Sequence, residues 1–164
     1  MTFFTQEFFI QVVASLLGAV AFAVIFKTHV RHLPYVAIAG LMTYAIYYVV
    51  EFFLGDVFLA AFLSTLFTAL FSELCARWRR APTAVFLFPG VIPTVPGGAL
   101  YYTMRYLISD QTGLAFSYLL SALKVGLGIA GGIMVVSIVV GQITDYKRKR
   151  FMKELERKNA ENLQ

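Results

Sequence analysis

The residues best placed to do chemistry lie in one stretch, Phe88-Pro-Gly-Val-Ile-Pro-Thr-Val-Pro-Gly-Gly98. A proline inside a helix removes a backbone hydrogen bond and clashes with the preceding turn, at about 3 kcal/mol or more. Pro93 and Pro96 would together cost roughly 6 kcal/mol in a regular helix, and Gly97 and Gly98 loosen the chain further. The segment from Pro89 to Gly98 is therefore expected to be unwound. Where such backbone lies at membrane depth, it is tolerated only buried in protein or lining a wet cavity. Transporters exploit it: half-helix N-termini aim positive dipole ends at anionic groups, and freed carbonyls bind cations. Pro89, Gly90, Pro93, Thr94, Pro96, Gly97 and Gly98 are the resulting candidate substrate-binding residues. The alternative is a kinked helix packed against its neighbours.

Lys124 is the second candidate. It stands among Leu-Ser-Ala-Leu and Val-Gly-Leu-Gly, and a lysine at the centre of a membrane helix costs about 2.5–3.5 kcal/mol on insertion scales. Either it meets a substrate carboxylate, or it snorkels to the headgroups. Glu73 has Arg77 one turn later, a spacing that suits a surface ion pair; a protonatable coupling site is the sharper reading. Glu51 and Asp56 bracket a short loop and read as solvated. Gln11, Ser15 and Gly18 share one face of a helix and read as a packing surface.

Other signals point away from catalysis and cofactors. Gly126-Leu-Gly128-Ile-Ala-Gly131 matches the dinucleotide fingerprint, but that fingerprint needs a preceding strand and a βαβ unit. Inside an apolar helix, with Gly132 beside it, the run reads as a close-packing surface. His29 and His32 share a loop with Arg31 and have no carboxylate or thiol beside them to make a metal site. Cys75 is the single cysteine; it has no base near it in sequence and no partner for a disulfide. No catalytic residue, metal or cofactor is expected.

The elements that must carry these residues follow from composition. Of 164 residues, 59% are hydrophobic and 14% charged, and mean hydropathy is +0.74. A soluble domain holds roughly 45–50% apolar and about 25% charged residues. The excess must face lipid, so the fold class is an all-α integral membrane protein. A span needs about 20 apolar residues, and five segments qualify: about 8–26, 35–53, 57–75, 84–104 and 114–143, the fourth broken and the fifth long enough to tilt. They make a membrane domain over 1–144. The tail, 145–164, is expected to be a short basic helix with a Glu154–Lys158 pair at i,i+4.

Charge sets the orientation. Lys27, Arg31, Arg77, Arg79, Arg80, Lys147, Arg148, Lys149, Arg150, Lys153, Arg157 and Lys158 fall on one side, twelve of the fourteen cations in the chain. The other side carries Glu7, Glu51, Asp56 and Asp110, with Arg105. The positive-inside rule makes the basic side cytoplasmic, with the N-terminus out and the C-terminus in. The net charge of +5 thus reads as a topology signal rather than a nucleic-acid surface; the Lys147–Arg150 cluster also suits anionic lipid. Tyr44, Tyr47, Tyr48, Phe52, Phe53, Tyr101, Tyr102 and Tyr106 crowd outer helix ends, and Trp78 marks an inner one. The start has no basic residue ahead of its apolar run and does not read as a cleavable signal.

The Phe88–Tyr101 stretch, with its Pro/Gly pattern, resembles the signature of the threonine/serine exporter family. Ile25-Phe-Lys-Thr-His-Val-Arg-His-Leu-Pro34 is similar to that family's first cytoplasmic loop, and the likeness runs on into Gly40. It is to the shorter, YjjB-like component and covers all five spans. Only Pro89, Gly90, Pro93, Pro96, Gly97 and Gly98 match the signature itself. The resemblance implies export of small hydrophilic metabolites across the bacterial inner membrane: threonine and serine, or dicarboxylates such as succinate. It also implies a separately encoded larger membrane subunit as partner, because fused members carry a longer half that this sequence lacks. Contact with another copy of the chain is the alternative arrangement. A non-transporting scaffold subunit is the alternative function.

Overall fold

The computed structural model describes residues 6–161, without the side chains at 6–7, 147 and 154–161. The Glu7 charge, the Lys147 end of the basic cluster, Arg157 and the Glu154–Lys158 pair lie outside the described residues. All regular structure among the described residues is helical. Its order is α1 (Gln6–Ile25), a 3-10 turn (Val30–His32), α2 (Leu33–Leu54), α3 (Val57–Arg79), α4 (Ala84–Val91), a second 3-10 turn (Ile92–Thr94), α5 (Gly97–Ile108) and α6 (Thr112–Glu161). Helices α1, α2, α3 and α6 are each long and apolar enough to span a membrane. The pair α4 and α5, bent by 48° at the second 3-10 turn, makes the fifth candidate span.

Local chemistry explains the boundaries. Gly55 ends α2 in the left-handed region at φ 64°, which glycine adopts without steric cost. Asp56 then accepts a hydrogen bond from the Phe58 N–H at 2.8 Å, so it caps α3 instead of standing free in solvent as expected. Arg80 ends α3, also left-handed, at φ 50°.

Helix α3 is the centre of the bundle, with α2 on one side and α6 on the other. Its buried residues are all small: Ala60, Ala61, Ser64, Thr65, Thr68, Ala69, Ser72, Cys75 and Ala76. Lipid offers no hydrophobic drive for helix association, so close backbone approach between small side chains supplies the packing. On α1 the buried stripe is Ser15, Ala19 and Ala23. Above it the exposed Gln11 accepts from the Tyr44 hydroxyl at 2.6 Å, tying α1 to α2. Gly18 has nothing within 4 Å of where a Cβ would sit, so it is not part of that contact.

Helix α6 corrects one expectation and bears out another. It runs unbroken for 50 residues, so the tail continues the last span instead of forming a separate short helix. Its glycine surface is already occupied within the chain. A Cβ on Gly128 would lie 2.7 Å from the Phe58 carbonyl oxygen, and one on Gly132 would lie 2.8 Å from that of Phe62. The stripe seats α3, and no partner protein is needed to cover it.

Candidate functional site: the broken fourth span

The two halves of the broken span belong to different neighbours. Helix α4 and the 3-10 turn after it pack among α1, α2 and α3, whereas α5 leans on α6. Gly90 lets the first half in against α2 and α3, and Gly40 brings α1 close to α2 beside it. A Cβ on Gly90 would lie 3.0 Å from Thr68 Cγ2 and 3.1 Å from Ala39 Cβ. One on Gly40 would collide with Ala19 Cβ and approach Pro93 Cγ to 3.7 Å. Helix α5 is joined to α6 by a tyrosine stack, Tyr118 lying 5.3 Å from Tyr102 and 5.5 Å from Tyr106 between ring centroids. These two tyrosines therefore pack helices together and are not only an interfacial belt.

The break itself is narrower than the Pro89–Gly98 expectation. Pro89 lies inside α4, costing one ladder bond without ending the helix. Unwinding begins at Ile92, where bonding tightens to the 3-10 pattern: the Val95 N–H donates to the Ile92 carbonyl at 3.1 Å. Val95 is extended, with φ −62° and ψ 128°. Pro96 follows at φ −79° and ψ 53°, and the Gly97 N–H donates back to the Val95 carbonyl at 2.7 Å. That is an inverse γ-turn, which turns the chain into α5. Thr94 is buried, and its hydroxyl donates to the Val91 carbonyl at 2.7 Å.

Behind the break lies a layer of buried hydroxyls that the sequence reading missed. Thr43 and Thr68 are hydrogen-bonded to each other. Thr43 also donates to the Ala39 carbonyl at 2.6 Å, Thr68 to that of Ser64 at 2.8 Å, and Ser15 to that of Val12 at 2.7 Å. The hydroxyls of Thr65 and Ser72 are buried with no hydrogen-bond partner. The signal for this layer was present: Ser64, Thr68 and Ser72 repeat at four-residue spacing on an otherwise apolar helix.

In front of the break, the N-terminus of α5 is open. Gly97 and Gly98 are exposed, and a Cβ on either would meet nothing within 4 Å. The first N–H groups of a helix have no intrahelical partner and carry its positive dipole end. Gly97 lies 11 residues before Ile108, and Lys124 lies 12 residues after Thr112 on the antiparallel neighbour. At 1.5 Å per residue these are about 17 and 18 Å from the hairpin turn, so the two share a level. The Lys124 side chain is exposed, on the flank of the α6 stripe formed by Ala122, Val125, Gly128 and Gly132. It does not point into the packed core of this chain.

Glu73 stands apart from this site, at the far end of α3. It accepts from the Thr83 hydroxyl at 2.9 Å, and Arg77 Nε stands 3.9 Å away, with the two side chains 50% and 25% exposed. That geometry clips the α3–α4 turn in the manner of a surface pair.

Residues 11–139 match the family model described as Threonine/Serine exporter, ThrE. The chain belongs to the threonine/serine exporter family. A curated relative, a threonine/serine exporter from Corynebacterium glutamicum, is 29% identical over 127 residues. The match covers 77% of this chain but only 26% of that relative, so this threonine/serine exporter family member spans about a quarter of the relative's length. No solved structure matches it. The family match takes in most of α1, all of α2 to α5 with the break, and α6 as far as residue 139, and with the apolar helices it marks a multi-pass membrane protein.

Proposed function

We propose that this chain is the small membrane component of a two-component secondary exporter for small carboxylate-bearing metabolites. Threonine, serine and dicarboxylates such as succinate are the substrate class. The observation that carries this reading is the open N-terminus of α5 level with Lys124, two sources of positive potential beside an unwound segment. A carboxylate is the group such a pair would hold. Lys124 is exposed to one side of the chain, so a second protein closes the site there: a larger subunit supplying what the curated relative carries in its additional length, or another copy. The protein sits in a bacterial inner membrane with its N-terminus outside and its basic end in the cytoplasm. Glu73, held by Thr83 and the exposed Arg77, serves the fold in this reading and not the coupling.

The test is transport by proteoliposomes that hold this chain, the larger subunit, or both, with labelled threonine, serine and succinate as probes. Flux only when both are present supports the proposal. Full flux from the larger subunit without this chain would make this chain a scaffold.

A further inference from the structure

The basic end of the bundle holds a second site, unrelated to the broken span. His29, Arg31 and His32 from the turn between α1 and α2, and Trp78, Arg79 and Arg80 from the end of α3, enclose a pocket of about 360 Å³. That is within the range of about 300–1,000 Å³ usual for small-ligand sites. No carboxylate lines it. The positive-inside rule explains cations at this end of the molecule, but it does not ask that three arginines from two separate turns line one space. Like charges so arranged repel unless an anion sits among them.

The pocket walls are held by specific contacts. Arg79 lies over the Tyr35 ring, 5.1 Å from its centroid, and Tyr35 meets Trp78 edge-on at 5.7 Å. His32 packs edge-on against Phe86 at 5.2 Å. The Arg31 backbone N–H donates to His29 Nδ1 at 3.3 Å, which puts the neutral ring's proton on Nε2 as a donor. His32 Nδ1 is buried with no hydrogen-bond partner.

We propose that this pocket binds a phosphate group, presented by an anionic phospholipid headgroup or as a free phosphate. Planar guanidiniums match phosphate oxygens bidentately, and the imidazole N–H groups add neutral donors. Trp78 is the single tryptophan of the chain and is 73% exposed, so it reports on the pocket directly.

The experiment follows Trp78 emission of the full chain in phosphatidylcholine vesicles containing increasing phosphatidylglycerol, and separately with inorganic phosphate in pure phosphatidylcholine. A saturable response to phosphatidylglycerol alone supports the proposal with a lipid source, and one to inorganic phosphate supports it with a water-borne source. Arg31→Gln with Arg80→Gln should raise the half-saturating concentration about tenfold, as the loss of charge-assisted hydrogen bonds does. Lys149→Gln with Arg150→Gln, outside the pocket, should shift it less than about twofold, as exposed charges do. No response to either phosphate source overturns the proposal. So does a response that the pocket substitutions leave unchanged, or one that the tail substitutions weaken equally. Because Arg31 and Arg80 are exposed, their loss removes charge without removing core. Native mass spectrometry of protein extracted from phosphatidylglycerol membranes gives a second reading of the lipid source. Lipid retained by the parent and lost from the pocket variant supports it, and equal retention overturns it.

Discussion

At the scale of single residues, Lys124 and Gly90 separate binding from packing. If Lys124 holds a substrate carboxylate, Lys124→Gln should raise the apparent KM for export about tenfold, the worth of one charge-assisted hydrogen bond. Lys124→Arg should retain most of the activity. Unchanged kinetics in the glutamine variant would leave Lys124 a snorkelling cation. Gly90→Val should instead weaken the fold, because its Cβ would press on Thr68 and Ala39. Overpacking of this kind costs about 1–3 kcal/mol, to be read as a lower unfolding midpoint of the detergent-solubilised chain. Some of this was legible in the letters: the Pro/Gly run and the odd lysine declare themselves by type. The Thr43–Thr68 pair does not, because each hydroxyl looks like ordinary helix content until two helices bring them together. Asp56 was misread for the opposite reason. Its role is local, but a carboxylate in a short loop looks solvated unless the following residues are recognised as the first turn of α3.

At the scale of elements, the same glycine chemistry gives opposite expectations at two places. Gly132→Leu places a side chain where the Phe62 carbonyl oxygen and the Leu66 nitrogen already stand, so the α3–α6 contact should fail. The variant should aggregate or lose its midpoint even when expressed alone. Gly97→Leu meets open space in this chain, so its fold should survive while export falls, measured as flux against retained gel-filtration behaviour. Loss of folding in the second case would mean that the opening before α5 is packed in the native bilayer. Span positions were readable from hydropathy because twenty apolar residues in a row admit few other structures. The extent of the break was not. Pro89 carries the same local penalty as Pro93, yet only tertiary packing around Gly90 decides that α4 continues past the first of them. The glycine stripe of α6 was recognised as a packing surface, but sequence cannot say whether the helix that fills it comes from the same chain.

For the whole molecule, the described helices alternate so that Arg31, Arg79 and Arg80 gather at one end and the α5–α6 turn lies at the other. A phosphatase fused after Gln164 should then be inactive, and one inserted in the turn 109–111 should be active. The reverse pattern would invert the molecule and move the basic pocket outside the cell. The break in the fifth candidate span also leaves α5 leaning on α6 while α4 packs among α1, α2 and α3. Because α6 is itself seated on α3, the 3-10 turn and Pro96 bend the chain between two neighbourhoods of a single bundle.

Helix α6 makes movement of the bundle measurable at a distance. Fifty residues of continuous helix reach about 75 Å, more than twice the roughly 30 Å of hydrocarbon it must cross. The surplus is a cantilever rooted in the same helix that carries Lys124. If α6 changes tilt during transport, a tilt of about 10° moves Met152, about 13 Å beyond residue 143, by about 2 Å. The transport cycle would be legible in the aqueous phase, by distances to a spin label on the exposed Met152, without disturbing the site itself.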